Sequence, residues 1–315
     1  MEDITRHITI CVDGSSNAHK SFDYVQQLYG PEMDIAVKLV YVLPSLPALV
    51  DEGEKIDKAA YAAIMNAEQK ILKQAKEILE NAKKLLIDKG LDEKRIKTLY
   101  RKQEGGISQN ICKLAFSSRT DAVLLTRRGR GETDIETYVM GRVSNSMVES
   151  CKDSPVWVLG GLGRTKKVLI CIDSSENALR AVDHAGFMLA HRDSRITLFH
   201  AMRNLRRFVP GEVIADSPEL EKLWEKREGK DIAPYMKEAK EILVRAGIPE
   251  ESISSKVAGG SRSPAEDILR EARDHEHGTV VIGKRGQSRV KEFLFGSVTS
   301  KLLQKATGRC LWIVQ

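Results

Sequence analysis

The chain has 315 residues and a net charge of +6, with 42% apolar, 30% charged and 5% aromatic residues. That balance describes a globular chain long enough for two cores, and it excludes a disordered polymer and a membrane-spanning bundle. The mild positive charge suits a small anionic ligand and falls short of a nucleic-acid-binding signature.

Met1 to Asp13 mixes acids and bases before a strand-length apolar run, so neither a secretory leader nor a span of about 20 apolar residues is expected. From there the chain reads as one unit written twice. Ile10-Cys11-Val12-Asp13 returns as Ile170-Cys171-Ile172-Asp173. Val37-Lys38-Leu39-Val40-Tyr41 corresponds to Ile196-Thr197-Leu198-Phe199-His200, and Ala75-Lys76-Glu77-Ile78-Leu79 returns unchanged as Ala239-Lys240-Glu241-Ile242-Leu243. Ala122 to Leu125 matches Thr279 to Ile282, and the strand of Trp157 matches that of Trp312, about 160 residues on.

Each copy predicts strands alternating with helices. In the first, strands fall at Ile8–Val12, Ile35–Leu43, near Ile96–Tyr100, at Ala122–Leu125 and at Val156–Leu159. A first helix carries Phe22, Val25 and Leu28. The second shows one apolar stripe through Ile64, Ala67, Ile71, Ala75, Ile78, Ala82 and Leu85, and a third starts over Ile111–Phe116. Alternation of this kind means right-handed crossovers and a parallel sheet covered on both faces. The second copy starts at Val168 and differs by a long charged segment, Arg203 to Ile232, interrupted by Pro210 and Pro218. It is expected to be a surface excursion or partial lid. The first copy has a shorter version, Pro44 to Asp57, and Gly160-Gly161-Leu162-Gly163 reads as the linker.

The stretch richest in chemistry lies near the end. A buried strand, Thr279-Val280-Val281-Ile282, runs into Gly283-Lys284-Arg285-Gly286, and after nine residues Gly296-Ser297 opens a helix marked by Val298, Leu302, Leu303 and Ala306. Glycines let a backbone approach a ligand closely, and a helix start offers unpaired N–H groups and partial positive charge. Together they form an anion site of the kind that holds phosphates, with Lys284 and Arg285 adding mobile charge.

The pattern Gly283-x2-Gly286-x9-Gly296-Ser297 resembles the nucleotide-binding motif of the universal stress protein family, and the resemblance extends once over each half. It implies an α/β protein of two tandem Rossmann-like domains, residues 1–160 and 165–315, each a five-stranded parallel sheet with helices on both faces. A nucleotide crevice is implied at the carboxyl ends of the strands. Pairing through the last strands is common in the family and would bring the Trp157 and Trp312 strands together as an internal pseudo-dimer; simple core packing is the plainer role for both rings. A homodimer and an unidentified protein partner stay open.

By the same resemblance, Asp173 meets the base, where its plain alternative is a helix N-cap. Ala201 stands where the family usually has a valine against the base. Gly283, Gly286, Gly296 and Ser297, with Arg285 between them, take phosphate and ribose, and Ile172, Ile282 and Val298 complete the site. Asp13 and Val42 hold the same places in the first half. There the motif degrades: Thr126-Arg127-Arg128-Gly129 replaces the first glycine, eleven residues separate Gly129 from Gly141, and Arg142 replaces the serine. Weaker or absent nucleotide binding is expected in that half. The alternative is a stronger anion grip by Arg127, Arg128, Arg130 and Arg142.

Other chemistry is sparse. Walker A, G-x-S-x-G and H-E-x-x-H patterns do not occur. His275-Glu276-His277 reads as a solvated helix end and His200 as structural. Five cysteines without a C-x-x-C pair indicate neither a disulfide framework nor zinc, and fit a reducing cytoplasm; Cys151 and Cys310 show no base partner. The expected function is a cytoplasmic, non-membrane regulatory module binding ATP, or ADP or AMP, with Mg²⁺ accompanying the phosphates. A slow ATPase or phosphotransferase and a nucleotide-free interaction scaffold are the alternatives.

Overall fold

A computed structural model describes residues 5–30, 33–47, 57–127, 144–163, 165–215, 217–259, 263–286 and 296–315. The chain divides into two compact units, Met1–Ser154 and Pro155–Gln315.

The first unit runs β1 (Arg6–Cys11), α1 (Asn17–Tyr29), β2 (Ile35–Leu43), α2 (Lys58–Asp88), β3 (Ile96–Lys102), α3 (Ile107–Ser117), β4 (Ala122–Thr126) and α4 (residues 144–150). Its strands lie in the order β3-β2-β1-β4, and the pairs β1–β2, β1–β4 and β2–β3 are parallel. Helices must therefore carry the chain back between strands, and the apolar run of β4 is buried along its whole length. Asp57 opens α2 by accepting a hydrogen bond from the Ala60 amide at 2.6 Å, a side-chain cap for an otherwise unpaired N–H. The buried line of α2 passes through Ala75, Leu79, Ala82 and Leu86, so Ile78 and Leu85 of the expected stripe sit at its edge.

One expectation is overturned in this unit. Cys112 on α3 and Cys151 just past α4 form a disulfide, their Cα atoms 5.1 Å apart and 39 positions apart in sequence. Helices α3 and α4 are thus tied by a covalent bond that no local cysteine spacing announces.

The second unit runs β5 (Val156–Leu159), β6 (Lys167–Cys171), α5 (Glu176–Leu189), β7 (Arg195–Ala201), α6 (Gly211–Ala215), α7 (Pro218–Arg245), β8 (Ile253–Ala258), α8 (Pro264–Asp274), β9 (Thr279–Gly283), α9 (Ser297–Lys305) and β10 (Cys310–Val314). Its strand order is β5-β10-β9-β6-β7-β8. Strands β6 to β10 pair in parallel, whereas β5, read from sequence with the first copy, joins β10 antiparallel and places Trp157 opposite Trp312. The segment expected as an excursion is largely helical. Pro218 stands in the first turn of α7, where a missing N–H costs nothing, and Pro234 is carried inside the helix.

Under the sheet, Trp157 and Trp312 stack with centroids 3.8 Å apart and planes 2° from parallel. His184 of α5 meets both rings edge-on, and its Nε2 accepts a hydrogen bond from Trp157 Nε1 at 3.1 Å. The ring is therefore neutral with its proton on Nδ1, and burial lowers its pKa to about 3. Among the described residues no helix is long and apolar enough to cross a membrane.

All three tryptophans, Trp157, Trp224 and Trp312, belong to the second unit, so their fluorescence follows that unit alone. Because His184 titrates near 3 when folded and near 6.5 when unfolded, the unfolded chain binds the extra proton in that interval, and stability falls as pH falls. Fluorescence-monitored unfolding should show this group adding a slope of about 1.4 kcal/mol per pH unit, absent in His184→Gln; equal slopes in both proteins would contradict the assignment. Reducing the disulfide, or Cys112→Ser, should lower the first unit's calorimetric transition by up to about 4 kcal/mol, the chain-entropy value for such a loop. The tryptophan transition should not move; an unmoved first-unit transition would count against the bond.

Candidate functional site

Parallel strands finish at a common edge, and in the second unit the ends of β6, β7 and β9 lie side by side there. Past β6, Asp173 Oδ1 accepts hydrogen bonds from the Ser175 amide at 3.0 Å and from the Ser175 hydroxyl. Ser175 Oγ in turn accepts from the Ala178 amide at 3.2 Å and caps α5. The cap is therefore Ser175. Asp173 is held two residues earlier with Oδ2 against Gly286, where an added Cβ would collide with it.

Past β9 the glycine turn is fastened from three sides. The Lys284 amide donates to Val314 O at 2.6 Å, and the Gly296 amide donates to Lys284 O at 3.2 Å. Thr299 Oγ1 lies 3.2 Å from the carbonyl oxygens of Gly283 and Lys284, and Asn177 Nδ2 donates to Arg285 O at 3.2 Å. Gly296 is the N-cap of α9 and brings no side chain, so the helix opens on bare backbone.

These elements enclose a cavity of about 190 Å³. Ile172 and Asp173 reach it from the end of β6, Ala201 from β7, and Ile282, Gly283, Arg285 and Gly286 from β9 and its turn. Gly296, Ser297 and Val298 reach it from the start of α9. Lys284, expected to be a mobile charge beside the site, is buried at 8% exposure and does not line the cavity. Four further wall residues come from the segment read as an excursion: Arg203 before α6, and Glu228, Asp231 and Ile232 on α7. The only sequence signal for them was the charge and length of that segment. His200 also lines the cavity; its Nδ1–H donates to Ile172 O at 2.8 Å, which leaves Nε2 facing Glu228 Oε2 at 3.8 Å. The Cys171 thiol stays protonated, its pKa pushed up by burial and then by the Asp173 charge.

In the first unit a cavity of about 240 Å³ is lined by Asp13 and Val42 together with Cys11, Tyr41, Thr126 and Met147. Asp13 Oδ1 accepts from Ser15 at 3.0 Å (amide) and 2.6 Å (hydroxyl), repeating the Asp173 arrangement. β4 ends in Thr126 where β9 ends in Gly283. Burial, with the Asp13 charge second, raises the Cys11 pKa to about 12. Gly129, Gly141 and Arg142 lie outside the described residues.

The reading of His275-Glu276-His277 as a solvated helix end holds for one histidine only. His277 is buried at 4% exposure, its Nε2 is 3.2 Å from Thr197 Oγ1, and desolvation lowers its pKa to about 4. The chain turns inward past Glu276, whose φ is 58°, so a polar tripeptide hides a core position. Among the described residues no group of three or more His, Cys, Asp or Glu can hold a metal ion.

The model of the universal stress protein family matches residues 5–160 and again residues 164–313. Universal stress protein YxiE of Bacillus subtilis is 29% identical over 146 residues, which is 45% of this chain and 93% of the relative. A universal stress protein crystal structure from Archaeoglobus fulgidus aligns with 98% of this chain and 96% of its own at a TM-score of 0.61 and 17% identity. A protein of unknown function from Pseudomonas aeruginosa PAO1 aligns with 99% and 93% at a TM-score of 0.55 and 12% identity. Likeness at such identities speaks for the fold.

The glycines of the turn are not equivalent. A Cβ on Gly283 would sit 2.9 Å from the backbone C and O of Asn177, whereas on Gly296 its nearest neighbour is 3.6 Å away. Gly283→Ala should therefore destabilise the second unit by about 1–3 kcal/mol, the usual cost of overpacking, and Gly296→Ala by less than about 1 kcal/mol. Urea unfolding followed by tryptophan fluorescence reads both; equal costs would show that α5 gives way freely.

Proposed function

The chain belongs to the universal stress protein family, and from that premise we propose that its second unit binds an adenine nucleotide and acts as a regulatory binding module in a stress response. The observation that carries the reading is one of assembly. Residues scattered from Ile172 to Val298 converge on a single cavity at the strand ends, beside a helix that begins on bare backbone amides. Ile172, Ala201, Ile282 and Val298 offer an apolar slot for a base, and Asp173 offers a carboxylate to the donors of a base or ribose. Gly286 keeps the turn low enough for phosphates to reach the start of α9. Binding nucleotide changes the conformation of the module or its affinity for a partner. Mg²⁺ would arrive with a di- or triphosphate and be held mainly by its oxygens, with Asp173, Glu228 and Asp231 as the nearest carboxylates on the wall.

The first unit is the weaker partner in this reading, since its β4 ends in Thr126 at the place of Gly283. Slow phosphate-ester hydrolysis is the second reading. In its favour stands the pairing of His200 Nε2 with Glu228 at 3.8 Å on the cavity wall. A cytoplasmic location remains part of the proposal, although the Cys112–Cys151 bond removes the cysteine argument for it.

Mass spectrometry of the denatured purified protein should release an adenine nucleotide, and calorimetry should show about one site per chain. Gly286→Val, whose side chain collides with Asp173, and Asp173→Asn should each weaken ATP binding at least about tenfold while circular dichroism stays unchanged. Unaltered ATP affinity in both folded variants would remove the assignment. Phosphate release above the buffer rate that vanishes in Gly286→Val would move the reading to the enzyme.

A further inference from the structure

Next to the nucleotide cavity lies a second hollow of about 380 Å³. Arg203, Ser263, Ser297 and Lys301 line it, with Phe208 and Pro264 on its apolar wall. It shares Arg203, Pro264, Ser297 and Val298 with the first cavity, so the two meet along the start of α9.

Three features make it a place for an anion. First, two helices begin on it, α8 of 11 residues behind Ser263 and α9 of 9 residues behind Gly296, and neither receives a side-chain cap. Second, Ser263 is only 7% exposed and its Oγ is buried without a hydrogen-bond partner. A serine at that position ordinarily caps its helix through the side chain. Here the Glu266 amide donates to Ser263 O at 2.9 Å instead, beside the ordinary first helical bond from the Asp267 amide at 3.3 Å, and the hydroxyl makes no bond of its own. Third, the charge is one-sided. Arg203 and Lys301 line the hollow and, among the described residues, no carboxylate does, whereas the first cavity sets Asp173, Glu228 and Asp231 beside Arg203 and Arg285. A hollow lined by cations without a described carboxylate suits a phosphate group.

We propose that this hollow is a phosphate subsite separate from the glycine turn, in which Ser263 Oγ–H, the openings of α8 and α9, Lys301 and Arg203 hold one phosphate group. The proposal rests on the nucleotide reading of the neighbouring cavity where the phosphate is the far end of a nucleotide's tail. A free inorganic phosphate or polyphosphate bound beside a nucleotide has the same chemistry.

Calorimetry on the full chain at fixed low ionic strength, with AMP, ATP, inorganic phosphate and tripolyphosphate, separates these. If the tail enters the subsite, Ser263→Ala and Lys301→Gln each weaken ATP about tenfold, the effect of one charge-assisted hydrogen bond or one close charge, and leave AMP within about twofold. If the anion is a separate molecule, tripolyphosphate or phosphate binds to the AMP-saturated protein, and the variants weaken only that second event. Both results support the subsite. Variants that leave ATP and both anions unchanged, or that weaken AMP as much as ATP, overturn it. Should the wild-type chain bind no adenine nucleotide, the nucleotide reading falls alone. The subsite is then decided by whether tripolyphosphate binds the wild type and is lost in the Ser263→Ala/Lys301→Gln double variant, thermal unfolding confirming that the variant is folded.

Discussion

At the end of β9 the backbone of Gly283 lies so close to Asn177 at the start of α5 that a methyl group would not fit between them. Much of the second unit's upper edge is arranged by that closeness. With α5 pressed against the strand end, Asn177 reaches the Arg285 carbonyl and Ser175 turns the Asp173 carboxylate toward Gly286. The turn is then pinned from the opposite side by Thr299 of α9. A helix start, a carboxylate and a low turn thus meet at one cavity because one side chain is missing.

The first unit shows what the same plan gives without that absence. Its strand edge keeps the aspartate–serine arrangement, Asp13 with Ser15, and Val42 against the cavity, but β4 closes on the side chain of Thr126. Its α3 and α4 are tied by the Cys112–Cys151 bond. The two halves keep the aspartate–serine arrangement at the strand edge and differ at the turn, where β4 ends in Thr126 and β9 in Gly283.

Much of this was legible in the sequence because buried strands are short apolar runs bounded by turns. β2 at Ile35–Leu43 and β5 at Val156–Leu159 read at the bounds the fold gives them. The resemblance carried by Gly283-x2-Gly286-x9-Gly296 was enough to name glycines that line one cavity. What escaped was set by distance or by misleading polarity. Cys112 and Cys151 meet only after the chain has passed through β4 and α4. The first half of α7 is so charged, with Pro210 ahead of it and Pro218 at its start, that it reads as a broken excursion, yet Glu228, Asp231 and Ile232 wall the cavity. His277 sits in a polar tripeptide and is nonetheless buried, because the chain turns inward at Glu276.

The central claim is that a nucleotide is held at the edge formed by β6, β9 and α9 of the second unit. Hydrogen exchange read by mass spectrometry, with and without saturating ATP, addresses it directly. Backbone amides at residues 172–178, 283–286 and 296–301 should exchange more slowly with ATP, while residues 9–18 and 122–127 of the first unit stay as they were. Protection confined to the first unit, or to neither, would contradict the account.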